Sequence, residues 1–185
     1  MRKILVRKND MSDFVGLISS YSFLNYFLSG ALLFVGAKYF LEIGIPLNSD
    51  FYSFIIFYFA GLIMNRIGSL FLEPFLRKVK FINFAKYKDF CRAEKIDRHR
   101  KLQTLSSVNN SFRSYTVVFM MLFVIEVIKL FHNPKNCCKC IRLVILLILL
   151  LIFLFSYKKQ SKYVADYVNS IVRSNGNKTD EKHCF

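Results

Sequence analysis

The 185-residue sequence contains few of the residues that interrupt helices, with only 7 Gly and 3 Pro. This scarcity favours a helical chain, because both residue types destabilise helix interiors. Acidic residues are also scarce: 12 Asp and Glu stand against 27 Lys and Arg, and the formal net charge is +15. The sequence has no acidic pair, no Gly-rich phosphate loop and no Ser/His/Asp set that would indicate hydrolysis. We therefore expect neither an enzyme nor a bound cofactor.

The sequence contains long apolar blocks that are separated by charged segments. Four blocks approach the roughly 20 residues that cross about 30 Å of hydrocarbon. They are residues 22–45, 51–75, 115–131 and 141–157, and the fourth is the clearest because residues 143–155 lack a polar stripe. The pattern predicts an all-α integral membrane protein with about four transmembrane helices arranged as two hairpins. Two long re-entrant or interfacial helices remain an alternative for the first pair.

Lys and Arg lie mostly on one side of these spans. The amino-terminal segment, the central loop and the tail carry 21 of them, and the two short loops on the other side carry 3. Such an excess marks cytoplasmic flanks. We therefore predict a multi-pass protein of the inner (plasma) membrane with both termini inside. Its parts are a basic segment (1–21), a first hairpin (22–75), a basic helical loop (76–114), a second hairpin (115–157) and a helical tail (158–185).

The central loop and the tail both have helical patterning. In the tail, apolar residues recur at three- and four-residue spacing, namely Val164, Tyr167, Val168, Ile171 and Val172. Two arrangements fit this pattern. Either the helices form a small bundle that extends the spans beyond the membrane, or they lie on the lipid surface with Lys against anionic head groups.

Basic side chains are concentrated in the central loop. An inner surface of this charge favours an acidic cytoplasmic protein or a partner that contains nucleic acid. The residues assigned to this basic face are Arg77, Lys78, Lys80, Arg92, Arg98, Arg100, Lys101 and Arg113.

Two charged residues fall inside predicted spans, where ionisable groups usually face a partner or water. Arg66 and Glu126 lie at similar depths, about 15 Å from the cytoplasmic ends of antiparallel spans. We predict that they form an interhelical ion pair, with Asn65 nearby. The alternative is local: Glu126 pairs with Lys129 on its own helix, and Arg66 extends its charge to the membrane surface.

The second span also presents small residues on one face. Gly61, Gly68 and Ser69 follow one another, with Asn65 between them, at spacings close to four and seven residues. Such a face lets helices approach closely in lipid. It predicts packing against a neighbouring helix of the same chain or, alternatively, a contact with another copy in a homo-oligomer.

A cysteine cluster follows His132 closely, at Cys137, Cys138 and Cys140. Four ligands within nine residues suit tetrahedral zinc poorly, because zinc ligands usually come as two pairs on separate turns. We expect no metal site, with Cys137 and Cys140 as the weak candidates. A disulfide and palmitoylation remain open readings of the same cysteines.

The stretch GLIMNRIGSLFLEPFLRKVKFINFAKYKDF and the later SSVNNSFRSY resemble a group of small bacterial four-span membrane proteins. Those proteins share an Asn/Ser-Arg-x-Gly-Ser-x(4)-Glu-Pro end to span two and an Asn-Asn-x-x-Arg entry into span three. Some lie beside anti-phage defence genes, where small multi-span proteins act by disrupting membranes. The resemblance covers residues 61–115 and implies roles for Arg66, Gly68, Glu73, Pro74, Asn110 and Arg113.

Three functions are compatible with these patterns. The leading hypothesis is a membrane effector or pore-forming protein, non-enzymatic and oligomeric, that perturbs the bilayer when triggered through its basic face. The resemblance implies anti-phage defence as its setting. One alternative is a channel or transporter accessory subunit that uses Arg66 and Glu126. The other is a membrane-anchored RNA-binding protein, since Arg92 and His99 match the loose Arg-x(4–6)-His pattern of HEPN ribonucleases.

Overall fold

The computed structural model describes residues 25–42, 50–97, 100–132 and 137–180, and all regular structure within these ranges is helical. The predicted all-α class is thus confirmed. A π-helical turn, Gly68–Leu72, joins α2 to α3. The α-helices are α1 (25–41), α2 (Asp50–Ile67), α3 (Glu73–Lys78), α4 (Tyr87–Ile96), α5 (Lys101–His132) and α6 (Cys137–Asp180).

Three helical stretches are long and apolar enough to cross a membrane: Phe51–Lys78, Lys101–His132 and Cys140–Ser174. They contain the second, third and fourth predicted spans. The first predicted span, residues 22–45, is helical over 25–41, and its two ends lie outside the described residues. The membrane class is therefore supported, while the fourth span, the two-hairpin arrangement and the orientation stay predictions.

The apolar surface of α6 is largely open. Only 11% of its most apolar stretch is buried within the chain, and large side chains such as Ile148, Ile152 and Phe155 are exposed along it. Soluble monomers rarely expose a continuous apolar surface of this extent. Lipid chains cover such a surface without a hydration cost, so the exposure fits a helix in a bilayer.

Helices α1 and α2 touch through two glycines. A Cβ at Gly30 would collide with the backbone carbonyl of Phe57, and a Cβ at Gly61 would collide with the carbonyl of Tyr26. Because only glycine lacks that atom, the two backbones can cross in direct contact. The aromatic rings of Phe27 and Phe57 pack beside the crossing, 5.9 Å apart.

The π-helical turn follows from Pro74. A proline in the interior of a helix has no N–H and clashes with the carbonyl four residues earlier. Here the turn before it widens, because the Glu73 N–H bonds the carbonyl of Gly68, five residues back, rather than that of Ser69. The helix therefore continues past Pro74 to Lys78, beyond the predicted end of the span at Phe75.

Helix α3 ends in a Schellman motif. The Phe81 N–H donates to the carbonyl of Leu76 at 2.9 Å, and the Lys80 N–H donates to the carbonyl of Arg77 at 3.0 Å. Lys80 has a φ of 55°, in the left-handed region that favours glycine. The chain turns sharply here and leads into α4.

A second apolar cluster lies at the charged end of the molecule, which we call the basic end (α3, α4, the start of α5 and the end of α6). Ala93 of α4, Leu102 of α5, and Val164 and Val168 of α6 form its buried centre. The apolar face predicted in the tail packs against this centre. These helices pack on one another, as the bundle arrangement requires, while their position relative to the lipid surface stays a prediction.

Candidate functional site

A partly buried ion pair joins α3 to α5 where the apolar stretches end. Arg113 is 8% exposed, and its Nη1 donates to Glu73 Oε2 at 2.6 Å. Its Nη2 donates to Asn65 Oδ1 at 2.9 Å, and the Ser114 hydroxyl donates to the same oxygen at 3.3 Å. We call Asn65, Glu73, Arg113 and Ser114 the polar cluster.

The π-helical turn brings Asn65 and Glu73 onto one face of the α2–α3 helix. Eight residues of a regular α-helix rotate by about 800°, which would leave the two side chains about 80° apart. A π turn acts as an inserted residue and removes about 100° of rotation, so the offset falls to about 20°. Both side chains then point at Arg113.

Gly68 makes room for this contact. A Cβ at Gly68 would lie 2.9 Å from Arg113 Cγ and 3.2 Å from Val117 Cγ2. These distances are shorter than ordinary van der Waals contacts, so a larger residue would push α5 away and lengthen the bonds of the polar cluster. The small-residue face predicted in span two therefore serves packing within the chain at both Gly61 and Gly68, whereas Ser69 is exposed.

Glu73 is held between two guanidinium groups. Its other oxygen, Oε1, accepts a bond of 2.7 Å from Arg77, an exposed residue that also lies over the ring of Phe84, with Cζ 4.3 Å from the ring centre. Burial makes the Arg113 pair sensitive: removing one partner of a buried pair typically costs about 3–5 kcal/mol. Arg113 Nε and the Tyr157 hydroxyl are buried beside the pair without a hydrogen-bond partner among the described residues.

Further polar bonds tie α1 and α6 to α5 near the same end of the molecule. Asn25 Nδ2 of α1 donates to Ser107 Oγ at 2.8 Å. On the α6 side, Ser161 Oγ donates to Asn109 Oδ1 at 2.9 Å, and both residues are buried. Together with the polar cluster, these bonds link α1, α2, α3 and α6 to α5.

A polar cleft separates α4 from α5 and adjoins the polar cluster. It consists of two cavities of about 260 and 330 Å³, which share the lining residues Phe90, Ser106 and Asn110. The first is lined by amide, hydroxyl and carboxylate groups, and the second by Glu73, Arg113 and aromatic rings of the α4 region. The cleft is large enough for a peptide side chain or a small polar molecule.

Tyr87 stands at the α4 rim of the second cavity. A hydrogen bond with the Cys91 thiol raises the pKa of its phenol.

Arg66 and Glu126 do not form the predicted pair. The ion pairs among the described residues are Arg77–Glu73, Arg113–Glu73 and Arg142–Glu42. Asn65 occupies the inward position on α2, so Arg66, the next residue around the helix, is exposed. Glu126 is 1% exposed, and its Oε2 has no hydrogen-bond partner among the described residues.

The local alternative is not formed either. Lys129 donates to the backbone carbonyl of Leu41 at the end of α1, rather than to Glu126. This bond ties α5 to α1 at the end of the molecule opposite the polar cluster.

The predicted basic face is only partly an exposed surface. Arg113 does not belong to it, because its guanidinium is buried in the polar cluster. Arg98 lies outside the described residues, as does His99 of the Arg-x(4–6)-His pattern, whereas Arg92 is exposed on α4. The remaining members are all exposed: Arg77, Lys78, Lys80, Arg100 and Lys101.

The cysteines start α6. Cys137 is its first residue, and Cys140 is a free, exposed cysteine one turn later. Within the described part of the chain, no group of three or more potential ligands gathers to hold a metal ion.

No family model, curated protein or solved structure matches the chain. The resemblance to small bacterial membrane proteins thus stays an expectation. Its residues nevertheless include several that the structure brings together: Gly68, Glu73 and Arg113 meet at the polar cluster, Pro74 causes the π turn, and Asn110 lines the cleft.

The ion pair between Glu73 and Arg113 was not predicted from the sequence. They are 40 residues apart in sequence. The one physical signal was Pro74 within a helical pattern, because a proline there requires a local change of helix geometry.

Proposed function

We propose that the chain is a non-enzymatic effector of the bacterial inner membrane. Copies oligomerise through their spans, and binding of an acidic partner at the basic end makes them permeabilise the membrane. Defence against phage is the setting that the resemblance to small bacterial proteins suggests.

The proposal uses the four-span topology predicted from the sequence, with residues 22–45 as the first span and both termini in the cytoplasm. Two observations support it. Lys and Arg number 21 on the inner side against 3 on the outer side. The loops predicted from the sequence at 43–49 and 133–136 then both lie outside, so that the four predicted spans alternate in direction.

The observation that carries the proposal is the position of the polar cluster. Arg113 lies on α5, which begins in the basic end and continues without interruption as a candidate span. Its partners Asn65 and Glu73 belong to the helix of another candidate span. A partner that moves α4 or the start of α5 therefore acts directly on a buried ion pair between two spans.

Such a pair can switch the two helices between discrete arrangements. A buried ion pair is costly to leave half-formed, so the helices that share it favour a few discrete arrangements over continuous sliding. An acidic partner competes with Glu73 for the guanidinium groups near the cleft and biases this choice. The basic end attracts that partner over a distance of about 10 Å at ordinary salt.

The test uses purified full-length protein in phosphatidylcholine liposomes loaded with a self-quenching dye. Polyglutamate serves as the acidic probe. We expect its addition to release dye, because copies inserted with the basic end outward can bind it. Release should fall steeply as salt rises, since the attraction is electrostatic.

Polylysine and protein-free liposomes are the controls. Neither should release dye. If polyglutamate causes no release at any ratio of protein to lipid, the proposed function is wrong.

A second candidate function rests on Glu126, whose buried and partly unpartnered carboxyl group favours a polar path through the helices. In a channel or transporter accessory subunit, Glu126→Gln should alter ion flux and its pH dependence in the same liposomes. The helical content and the oligomeric state in detergent should stay unchanged. Unaltered flux, or loss of assembly, would assign Glu126 a structural role instead.

A further inference from the structure

We propose that a cavity between α5 and α6 at the basic end binds the head group of an anionic phospholipid. The cavity has a volume of about 650 Å³ and lies outside the polar cleft. Lys159 and Lys162 provide its positive charge, and Phe112 and Tyr163 contribute aromatic rings. This site is independent of the proposed function.

The cavity lies where the apolar surface of α6 ends. The apolar run of α6 extends to Phe155, and Ser156, the next residue, is the first polar group that lines the cavity. Ser156, Lys159 and Tyr163 follow one another at three- and four-residue spacing, so they share one face of α6. That face is at the level of lipid head groups if the apolar run of residues 141–157 crosses the membrane.

The lining suits an amphipathic occupant. Two exposed Lys side chains present ammonium groups for a phosphate, while their methylene stems and the two rings are apolar. Ile152 and Phe155, immediately before the cavity on α6, are 53% and 57% exposed. A soluble anion would leave these side chains uncovered, whereas a phospholipid pairs with the lysines and covers the apolar surface with its chains.

The neighbouring charges distinguish this site from general surface basicity. Asp166 also lines the cavity and opposes anion binding. Lys158 does not line it, because its ammonium lies 4.3 Å from the centre of the Phe81 ring. The site therefore has two lysines and one carboxylate, a net charge of +1.

Native mass spectrometry of the full-length protein in detergent tests the site, with phosphatidylglycerol and phosphatidylcholine as probes. We expect phosphatidylglycerol to be retained in preference to phosphatidylcholine. The double variant K159Q/K162Q should weaken phosphatidylglycerol binding by about 25-fold, since each lysine near a lipid surface contributes a factor of about five. D166N should strengthen it about fivefold by removing the opposing charge.

The matched control is K88Q/K95Q, which removes the same charge from two exposed lysines of α4. It should leave phosphatidylglycerol binding within about twofold of wild type, because lysines outside the site make no direct contact with the lipid. Equal loss in both double variants, or equal retention of the two lipids, would overturn the proposal. Displacement of the lipid by millimolar inorganic phosphate would also overturn it, since the site would then bind a free anion. If K159Q/K162Q fails to fold, an unchanged affinity in D166N overturns it as well.

Discussion

The predicted membrane part (α1, α2 and the apolar runs of α5 and α6) and the basic end are held together by different interactions. In the membrane part, α1 and α2 meet through glycine, and the large side chains of α6 face outward, so few polar groups specify the contacts. At the basic end, a buried guanidinium, a carboxylate and an amide fix α2, α3 and α5 relative to one another.

The two kinds of contact differ in how precisely their atoms must be placed and in how they respond to charge. Close backbone packing depends on the absence of side chains and is insensitive to charge, salt or a binding partner. An ion pair depends on geometry within a few tenths of an ångström and responds to nearby charge. A signal that reaches the spans is therefore expected to act at the basic end, and the following substitutions test that contrast.

The largest effect is expected from Glu73→Gln. It leaves Arg113 buried without its carboxylate partner, which should lower the free energy of unfolding by up to about 3–5 kcal/mol, the range for a fully buried pair. The exposed Arg77 contact contributes little, because exposed pairs are worth about 0–1 kcal/mol. Loss of helicity during SDS titration of the detergent-solubilised protein measures the change.

Glu94→Gln is the control for charge, because Glu94 is exposed on α4. It should change the free energy by less than about 0.5 kcal/mol. The double variant Glu73→Met with Arg113→Met removes both charges and should recover most of the loss. If Glu73→Gln behaves like Glu94→Gln, the pair does not stabilise the fold.

A smaller loss is expected from Gly61→Ala in the membrane part. The added Cβ collides with the carbonyl of Tyr26 and separates α1 from α2, at a cost of about 1–3 kcal/mol. Ser69→Ala, on an exposed position of the same helical region, should stay within about 0.5 kcal/mol of wild type. Salt should leave the effect of Gly61→Ala unchanged. Equal stability of the two variants contradicts the close crossing.

The smallest effect, and a gain, is expected from Lys80→Gly. Glycine adopts the left-handed conformation at the end of α3 without steric cost, so stability should rise by up to about 1 kcal/mol. Lys78→Gly removes the same charge from the last turn of the helix and should lower stability by about 1 kcal/mol. Thermal unfolding midpoints of the two variants should therefore move in opposite directions.

Hydropathy and periodicity predicted much of the fold. The three candidate spans contain the apolar blocks read from the sequence, and the apolar face of the tail packs in the basic-end cluster. These features are local, since they depend on which residue types recur along one helix. Gly61 and Gly68 were recognisable for the same reason, as small residues on one face of a span.

The polar cluster forms only if its side chains point toward one another around their helix axes. The depth of a residue along its span does not determine that direction. Arg66 and Glu126 were predicted at equal depth, but the structure separates them: Asn65, the neighbour of Arg66, bonds Arg113 and Ser114, about 18 Å along α5 from Glu126. Asn65 also takes the inward position and leaves Arg66 outside.

The π turn at Gly68–Leu72 rotates every later residue about the helix axis, and this rotation brings Glu73 to Arg113. A one-residue change in helix register thus decides which side chain of α3 faces Arg113.

The length of α6 has a mechanical consequence. Its 44 residues extend for about 66 Å, more than twice the roughly 30 Å of hydrocarbon in a bilayer. If the apolar run of α6 crosses the membrane, about 35 Å of the helix lies beyond the hydrocarbon, and a tilt of about 10° at the membrane displaces its tip by about 6 Å. Because the helix is continuous, the coupling is reciprocal. A displacement of several ångströms at the tip would tilt the span within the lipid.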